Sequence, residues 1–124
     1  LGDLTPTRDF NFVEDTCRAF EILAKTRNIN GEIFNIGSNR EISILELVNL
    51  IKSISKSSIK IVKDSKRVRP SKSEVKRLKA DNGKIEKLTG YKPKVSFREG
   101  LTKTYKWFKD PTNIKKYNSE IYNI

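Results

Sequence analysis

The sequence predicts an α/β fold in which a few short strands alternate with helices. Apolar residues recur at helical spacing in four segments, and short apolar runs of strand length lie between them. The resulting order is strand, helix, strand, helix, strand, helix, helix, which favours some parallel strand pairing. Three strands make a thin sheet, so we expect its edge to be covered by further strands of a longer protein.

The first strand is predicted at residues 10–13 and the first helix at about residues 14–26. Four apolar residues of this helix fall at helical spacing and are expected to form its buried face: Cys17, Phe20, Leu23 and Ala24. Cys17 is therefore interpreted as a small buried hydrophobic residue. Asp15 is expected to cap the helix.

Asn30-Gly31 is a turn signal, and the apolar run at residues 32–36 predicts a short buried strand that stops at Gly37. Ser43 and Glu46 have the spacing of a capping box, which predicts the start of the second helix. The apolar face of that helix is expected to contain Leu45, Leu47, Val48, Ile51 and Ile54. Alternation at residues 59–62 predicts the third strand.

Residues 67–78 lack a strong period and are rich in charge and serine, so we interpret them as a functional loop or a loosely ordered segment. Asp81-Asn82 can cap a third helix with Ile85 and Leu88 inward and Gly90 at its end. Ser96 and Glu99 have the spacing of a second capping box, and Asp110-Pro111 ends the helix that it opens. Residues 1–110 are thus expected to form the domain, and residues 111–124 a tail that is frayed or packs only with a partner.

Composition excludes several classes of site. The 124 residues contain no histidine and one cysteine, Cys17, so a Ser-His-Asp triad, a Cys-His pair, a disulfide within the chain and a histidine or thiolate metal site are all excluded. No apolar run approaches the length of a membrane span, and we expect a cytoplasmic protein without a membrane partner. The chain contains no methionine and starts in an apparent loop, from which we expect a piece of a longer protein.

The formal net charge is +11, and it is unevenly distributed. Residues 52–79 contain eleven Lys or Arg and two acids, so this window carries 11 − 2 = +9. Such a stripe could bind nucleic acid or a smaller polyanion such as a diphosphate. Most of these lysines are also compatible with an ordinary solvated surface.

Three side chains are candidates for ligand binding. Arg8 directly precedes the first predicted strand, where its guanidinium can offer paired donors to a phosphate. Arg69 is braced by Pro70 and could close the other side of a diphosphate. Glu74 is an acceptor suited to a pair of ribose hydroxyls. Taken alone, Arg69 and Glu74 are more typical of an exposed loop than of a binding site.

Several short motifs occur in a characteristic order. They are Arg8-Asp9-Phe10, Val13-Glu14-Asp15, Asn35-Ile36-Gly37, Arg69-Pro70, Asp81-Asn82-Gly83-Lys84, Gly90-Tyr91-Lys92-Pro93 and Glu99-Gly100-Leu101. In this order they resemble the C-terminal part of the extended short-chain dehydrogenase/reductases, the NAD-dependent nucleotide-sugar epimerases and 4,6-dehydratases. The segment Thr5–Asp9 and Ser73-Glu74-Val75 are most similar to the 4,6-dehydratases of the legionaminic acid type. Ser71-Lys72-Ser73 departs from the family's Arg-Pro-Gly-Asp spacing, which leaves the ribose partner open.

The resemblance implies a C-terminal fragment of an extended Rossmann-type enzyme. In the family, the N-terminal half binds NAD through a glycine-rich turn and carries a catalytic Tyr-x-x-x-Lys pair. This sequence lacks the glycine motif, and its one matching pair, Tyr105 and Lys109, lies on a predicted helix, where Tyr105 is interpreted as a packing residue. We therefore expect no catalytic and no cofactor-binding residues in this chain, and no turnover by it alone.

The implied role is recognition of a nucleotide-diphosphate sugar, with Arg8 and Arg69 on the diphosphate and Glu74 on the ribose. The resemblance also implies a homo-oligomer that acts in bacterial surface-polysaccharide biosynthesis. Two alternatives stay open. One is a basic nucleic-acid-binding module, although the basic window contains no aromatic residues to stack on bases. The other is a purely structural or dimerising domain.

Overall fold

The computed structural model describes residues 1–68, Pro70, residues 73–115 and Tyr117, apart from the side chain of Lys66. Within them lie β1 (Thr7–Arg8), α1 (Val13–Lys25), β2 (Ile42–Ser43), α2 (Ile44–Ser55), a 3₁₀ turn (Ser65–Arg67), β3 (Arg77–Leu78), α3 (Gly83–Thr89), α4 (Phe97–Lys109) and α5 (Pro111–Ile114). This arrangement confirms the α/β class with few strands and several helices. None of the helices in these ranges is long and apolar enough to cross a bilayer.

The sheet has the order β2-β1-β3. Strand β1 pairs antiparallel with β2 and parallel with β3, so the expectation of parallel pairing is confirmed. The predicted strand positions at 10–13, 32–36 and 59–62 are wrong, because none of these segments forms a ladder within the described chain. A strand is defined by its neighbour as well as by its own alternation, and the actual ladders are only two residues long.

Helix α1 agrees with its predicted bounds to within one residue, but its buried face was assigned wrongly. Ala19 is fully buried and Leu23 packs against the core, whereas Cys17, Phe20 and Ala24 are exposed. Cys17 is therefore not a buried residue. The helix has apolar residues on two sides, and the sequence alone does not say which side faces inward.

Asp15 was expected to cap α1, but it is instead a buried link between segments. Its side chain is fully buried in the first turn of α1. The carboxylate accepts hydrogen bonds from the backbone N–H groups of Lys94 and Val95, each at 3.0 Å, and lies 2.7 Å from the Arg18 guanidinium. These bonds fasten α1 to the segment that leads into α4.

Helices α2 and α4 begin at their predicted capping residues. At α2 the box is complete: Ser43 Oγ accepts from Glu46 N at 3.1 Å, and Glu46 Oε2 accepts from Ser43 N at 2.7 Å. At α4 only Ser96 caps, because the Glu99 carboxylate lies 3.4 Å from Lys103 instead. The apolar face of α2 is only partly covered, since none of its residues is fully buried.

The core is small and lies between α1, α3 and the link to α4. Ile85 is fully buried, as predicted, while Leu88 is about half exposed. The remaining members are Ala19 and Tyr91, with Ile22, Leu23, Phe34 and Ile36 packed against them. Gly90 ends α3 at φ 70°, a left-handed conformation that favours glycine.

The segment after α4 departs from the expected frayed tail. Helix α4 ends at Lys109, and Asp110 caps the one-turn helix α5 by accepting from Thr112 N at 2.9 Å. The rings of Trp107, Phe108 and Tyr117 pack against one another. Residues 116 and 118–124 of the predicted tail lie outside the described residues.

Candidate functional site

Arg8 and Glu74, two of the three candidate residues, are in direct contact. Arg8 Nη2 donates to Glu74 Oε1 at 2.9 Å, and Arg8 Nη1 donates to the carbonyl of Thr7 at 2.8 Å. Their side chains are 24% and 12% exposed, so the ion pair is largely shielded from solvent. Partial burial strengthens such a pair relative to one on the open surface.

The parallel ladder between β1 and β3 produces this contact. Thr7 N donates to Lys76 O and Asp9 N donates to Leu78 O, both at 2.9 Å. The bonds hold the loop that carries Glu74 alongside β1. Two residues separated by 66 positions in sequence thereby become neighbours.

An open cavity of about 390 Å³ adjoins the pair. Its lining combines two arginines, two carboxylates and small or apolar residues: Arg8, Arg67, Asp3, Glu74, Leu1, Gly2, Pro6 and Ile44. Gly2 fits only because it has no side chain, since a Cβ there would lie 2.3 Å from the carbonyl oxygen of Arg67. The cavity therefore presents charged groups of both signs beside a closely packed backbone.

The third candidate, Arg69, lies outside the described residues. In sequence it stands between Arg67 and Glu74, both of which line the cavity. The described structure thus brings together Arg8 and Glu74, and the placement of Arg69 stays a prediction.

A polar network beside this pair was missed by sequence reasoning. Glu41 Oε2 accepts from Thr7 Oγ1 at 3.0 Å and from Arg77 Nε at 3.3 Å, and Arg77 Nη2 donates to Glu41 Oε1. The hydrogen bond from Arg77 lowers the pKa of Glu41. The members come from β1, β3 and the residue before β2, so only the strand register could have revealed the network.

Asp9 directs its carboxylate to the connection around Gly37. It accepts from Ser38 N at 2.8 Å, Ser38 Oγ at 2.5 Å, Asn39 N at 3.0 Å and Ala80 N at 3.2 Å. Arg8 and Asp9 are adjacent in sequence but have different partners, as expected where successive side chains alternate along an extended segment. Asp9 therefore acts as a structural support beside the site.

Tyr105 and Lys109, the one Tyr-x-x-x-Lys match, lie on the same side of α4. The Lys109 ammonium is 5.9 Å from the centre of the Tyr105 ring, in a cation–π contact. Neither residue lines the cavity beside Arg8. No group of three or more Cys, Asp or Glu residues in the described part of the chain is arranged to hold a metal ion.

Comparison with known proteins gives one family. The family model of GDP-mannose 4,6-dehydratase matches residues 1–104. A curated relative, the UDP-N-acetyl-alpha-D-glucosaminuronate decarboxylase of Bacillus cytotoxicus, is 38% identical over 114 residues, which are 90% of this chain and 35% of the relative. The chain spans about a third of the length of the curated relatives it matches.

Solved structures give the same result. An epimerase from the methanogen Methanothermobacter thermautotrophicus matches with a TM-score of 0.81 at 32% identity, over 93% of this chain and 33% of that one. The UDP-glucuronic acid 4-epimerase of Bacillus cereus, in complex with UDP-glucuronic acid and NAD, matches with a TM-score of 0.76 at 34% identity, over 88% of this chain and 34% of that one. Both matches extend across nearly the whole of this chain.

Proposed function

The chain belongs to the GDP-mannose 4,6-dehydratase family, and on that premise we propose that it is the nucleotide-sugar-recognition part of an NAD-dependent 4,6-dehydratase or epimerase. The observation that carries the proposal is the contact between Arg8 and Glu74 at the rim of a cavity of about 390 Å³. The Bacillus cereus relative binds UDP-glucuronic acid and NAD, which supports the same class of ligand here.

Arg8 is proposed to hold the diphosphate. One of its nitrogens is fixed by Thr7 O and another by Glu74, so its guanidinium is already oriented. A diphosphate carries charge that an arginine can match with paired, charge-assisted bonds. Such remote binding energy positions the sugar for reaction without taking part in the chemistry.

Glu74 is proposed to accept from the ribose hydroxyls. Its carboxylate already lies beside Arg8, so a bound nucleotide would give both groups new partners at once: phosphate for Arg8 and ribose for Glu74. This exchange avoids leaving either partly buried charged group without a hydrogen-bond partner, which would be costly. Arg69 is proposed as the second cation on the diphosphate because it lies in sequence between Arg67 and Glu74.

Residues 1–110 form the proposed substrate-binding region, with residues 111–124 as a tail. Catalytic residues and NAD contacts are assigned to the part of the family fold that this chain does not span, since no glycine-rich NAD motif occurs here and Lys109 faces the ring of Tyr105. The chain alone is therefore expected to be inactive. Mass-spectrometric detection of a 4-keto sugar from this chain, NAD and a nucleotide sugar would contradict that assignment.

The finer assignments rest on the sequence motifs. The similarity of Thr5–Asp9 and Ser73-Glu74-Val75 to legionaminic-acid-type 4,6-dehydratases supports a role in bacterial surface-polysaccharide biosynthesis. A cytoplasmic location and a homo-oligomeric enzyme are proposed on the same resemblance. Incubating the full enzyme with UDP-, GDP- and dTDP-sugars, and identifying the one converted, tests the substrate class.

Nucleic-acid binding through residues 52–79 is the second candidate function. Part of that charge is already matched, since Arg77 pairs with Glu41 and Lys76 lies 3.9 Å from Asp3. Titration of the chain with UDP, GDP, dTDP and single-stranded DNA separates the two functions. Saturable binding of at least one diphosphate supports the proposal, whereas binding of DNA alone, with steep salt dependence, would replace it. Binding of neither would favour a structural domain.

A further inference from the structure

Two cavities adjoin each other along helix α4. Their volumes are about 250 Å³ and about 270 Å³. Four residues line both: Phe10, Ser38, Val95 and Phe97. We call the two cavities together the interhelical groove, because α2 and α4 supply the walls of the second one. None of the described residues that line it also lines the cavity beside Arg8, so the groove is a separate feature of the chain.

The two ends of the interhelical groove differ in character. The end between the helices is walled mainly by apolar side chains, among them Phe12, Leu47, Ile51 and Leu101. The other end adds two exposed cations, Arg40 and Lys94. No aspartate or glutamate of the described chain lines either cavity. The groove is therefore apolar along its length and positively charged at one end.

Both cations at the charged end are unpaired. Among the described residues, neither the Arg40 guanidinium nor the Lys94 ammonium forms a hydrogen bond or an ion pair. By contrast, Arg8, Arg18 and Arg77 each pair with a carboxylate. Two unpaired cations beside a cavity without acidic residues give a positive potential that attracts a small anion.

A carboxylate fixes the backbone that carries each of these cations. Asp9 accepts from the N–H groups of the two residues before Arg40, at 2.8 and 3.0 Å. Asp15 accepts from the N–H group of Lys94 itself, at 3.0 Å. The two sides of the opening are thus held in place before a ligand arrives, which reduces the entropic cost of binding.

We propose that the interhelical groove binds a small amphiphilic anion, with its carboxylate or phosphate at Arg40 and Lys94 and its aliphatic chain between α2 and α4. A mainly apolar cavity with a few polar groups that fix orientation is typical of a small-molecule site. An arginine fork matches either head group, since both offer paired oxygens. Phe97 and Thr104 both line the second cavity, so it extends over about 10 Å of α4, which suits an elongated chain. The proposal does not depend on nucleotide binding.

Titration of the 124-residue chain with octanoate and octyl phosphate, followed by nuclear magnetic resonance, tests the proposal. The amide signals of Ser38, Ser96 and Leu101 should shift and saturate. Octanol lacks the anion and butanoate lacks most of the chain, so each should bind at least about tenfold more weakly. Saturable binding of either octyl anion supports the proposal, and the tighter of the two identifies the head group. Equal affinity for octanol or for inorganic phosphate, or the absence of saturable shifts, would overturn it.

Arg40→Ala should weaken octanoate binding by about tenfold, because a charge-assisted bond is lost. Arg27→Ala is the matched control, since Arg27 is an exposed arginine that does not line the groove. It should leave the affinity for octanoate nearly unchanged. Both variants remove one positive charge, so equal weakening would assign the effect to the net charge of the chain and overturn the proposal.

Ile51→Asp tests the apolar end. Ile51 is already 38% exposed, so the chain should stay folded, which urea denaturation checks. A carboxylate there should weaken octanoate binding by at least about tenfold and leave the weak binding of butanoate nearly unchanged. Unchanged octanoate affinity in a folded Ile51→Asp chain would contradict the placement of the aliphatic chain. If this variant does not fold, the comparison of Arg40→Ala with Arg27→Ala still decides.

Competition with UDP separates this proposal from the proposed nucleotide site. Saturating UDP should leave the affinity for octanoate unchanged, because the two cavities share no described residue. Displacement of octanoate by UDP would assign the groove to the nucleotide site and overturn the proposal. A chain that binds octanoate but no nucleotide would leave this proposal standing and contradict only the proposed function.

Discussion

Arg8 Nη2 lies 2.9 Å from Glu74 Oε1, and this contact joins strand β1 to the loop before β3. Each residue therefore determines the electrostatic surroundings of the other. The proposed exchange of partners on nucleotide binding depends on this proximity. It predicts that a change at Glu74 alters binding of the diphosphate and binding of the ribose in different ways.

Glu74→Gln should change the affinities for pyrophosphate and for a nucleoside diphosphate in opposite directions. Removing the carboxylate charge frees Arg8 and should tighten pyrophosphate binding a few-fold. Losing a charged acceptor for the ribose should weaken nucleoside diphosphate binding by about tenfold. Parallel titrations measure both affinities. Equal changes in affinity for the two ligands would contradict the proposal that Glu74 binds the ribose.

Asp15→Asn should destabilise the chain, because the buried carboxylate accepts from Lys94 N and Val95 N and pairs with Arg18. The expected loss is about 2–4 kcal/mol in the free energy of unfolding. Glu21→Gln is the control, since it breaks only an exposed pair with Lys25 and should leave the free energy of unfolding nearly unchanged. Urea denaturation measures both. Similar losses would mean that Asp15 has no special role in stability.

Gly37→Ala should also destabilise the chain. A Cβ at Gly37 would lie 2.5 Å from Ala80 Cβ and 2.7 Å from Asp9 Oδ2, so the connection around Asp9 would have to shift. We expect a loss of about 1–3 kcal/mol. Gly83→Ala is the comparison, because Gly83 begins α3 and a Cβ there would approach only one side-chain atom, Asp81 Oδ1, at 3.1 Å. The midpoint of thermal unfolding of Gly83→Ala should be close to that of the unchanged chain. A loss for Gly83→Ala as large as that for Gly37→Ala would contradict the prediction.

Glu41 should make stability depend on pH in the acid range. The hydrogen bond from Arg77 lowers its pKa below the ordinary value of 4.5. A carboxylate with a lowered folded-state pKa stabilises the fold above the ordinary value, and this contribution is lost as pH falls through the folded-state pKa. The stability difference between the chain and Glu41→Gln should therefore shrink below pH 4.5. Arg77→Gln should abolish the same pH-dependent contribution to stability. If stability depends on pH in Arg77→Gln as it does in the unchanged chain, a group other than Glu41 is responsible.

Local signals in the sequence predicted helices better than strands. The bounds of α1 and the capping box of Ser43 and Glu46 depend on residues within a few positions, and both were predicted closely. The strands could not be located, because Thr7–Arg8 is defined by partners 34 or more positions away. Residues 32–36 show the opposite case, in which the apolar run is present but no partner strand lies within the described chain.

The candidate site was predicted in its residue types but not in its contacts. Arginine and glutamate were chosen for their donor and acceptor geometry, and Arg8 and Glu74 do meet. Their contact depends on the parallel register of β1 and β3, which no local pattern encodes. For the same reason the network of Thr7, Glu41 and Arg77 was missed.

The central claim is that Arg8 is a specific diphosphate ligand, and one measurement tests it most directly. Nuclear magnetic resonance titration of the chain with UDP, GDP and dTDP is compared among the unchanged chain, Arg8→Ala and Lys63→Ala. Lys63 is an exposed lysine of the same charge. Loss of a charge-assisted bond should weaken binding by about one to two decades in Arg8→Ala, with Lys63→Ala nearly unchanged. Equal weakening by both variants would show that the basic window attracts anions only as a diffuse field, and would contradict the account.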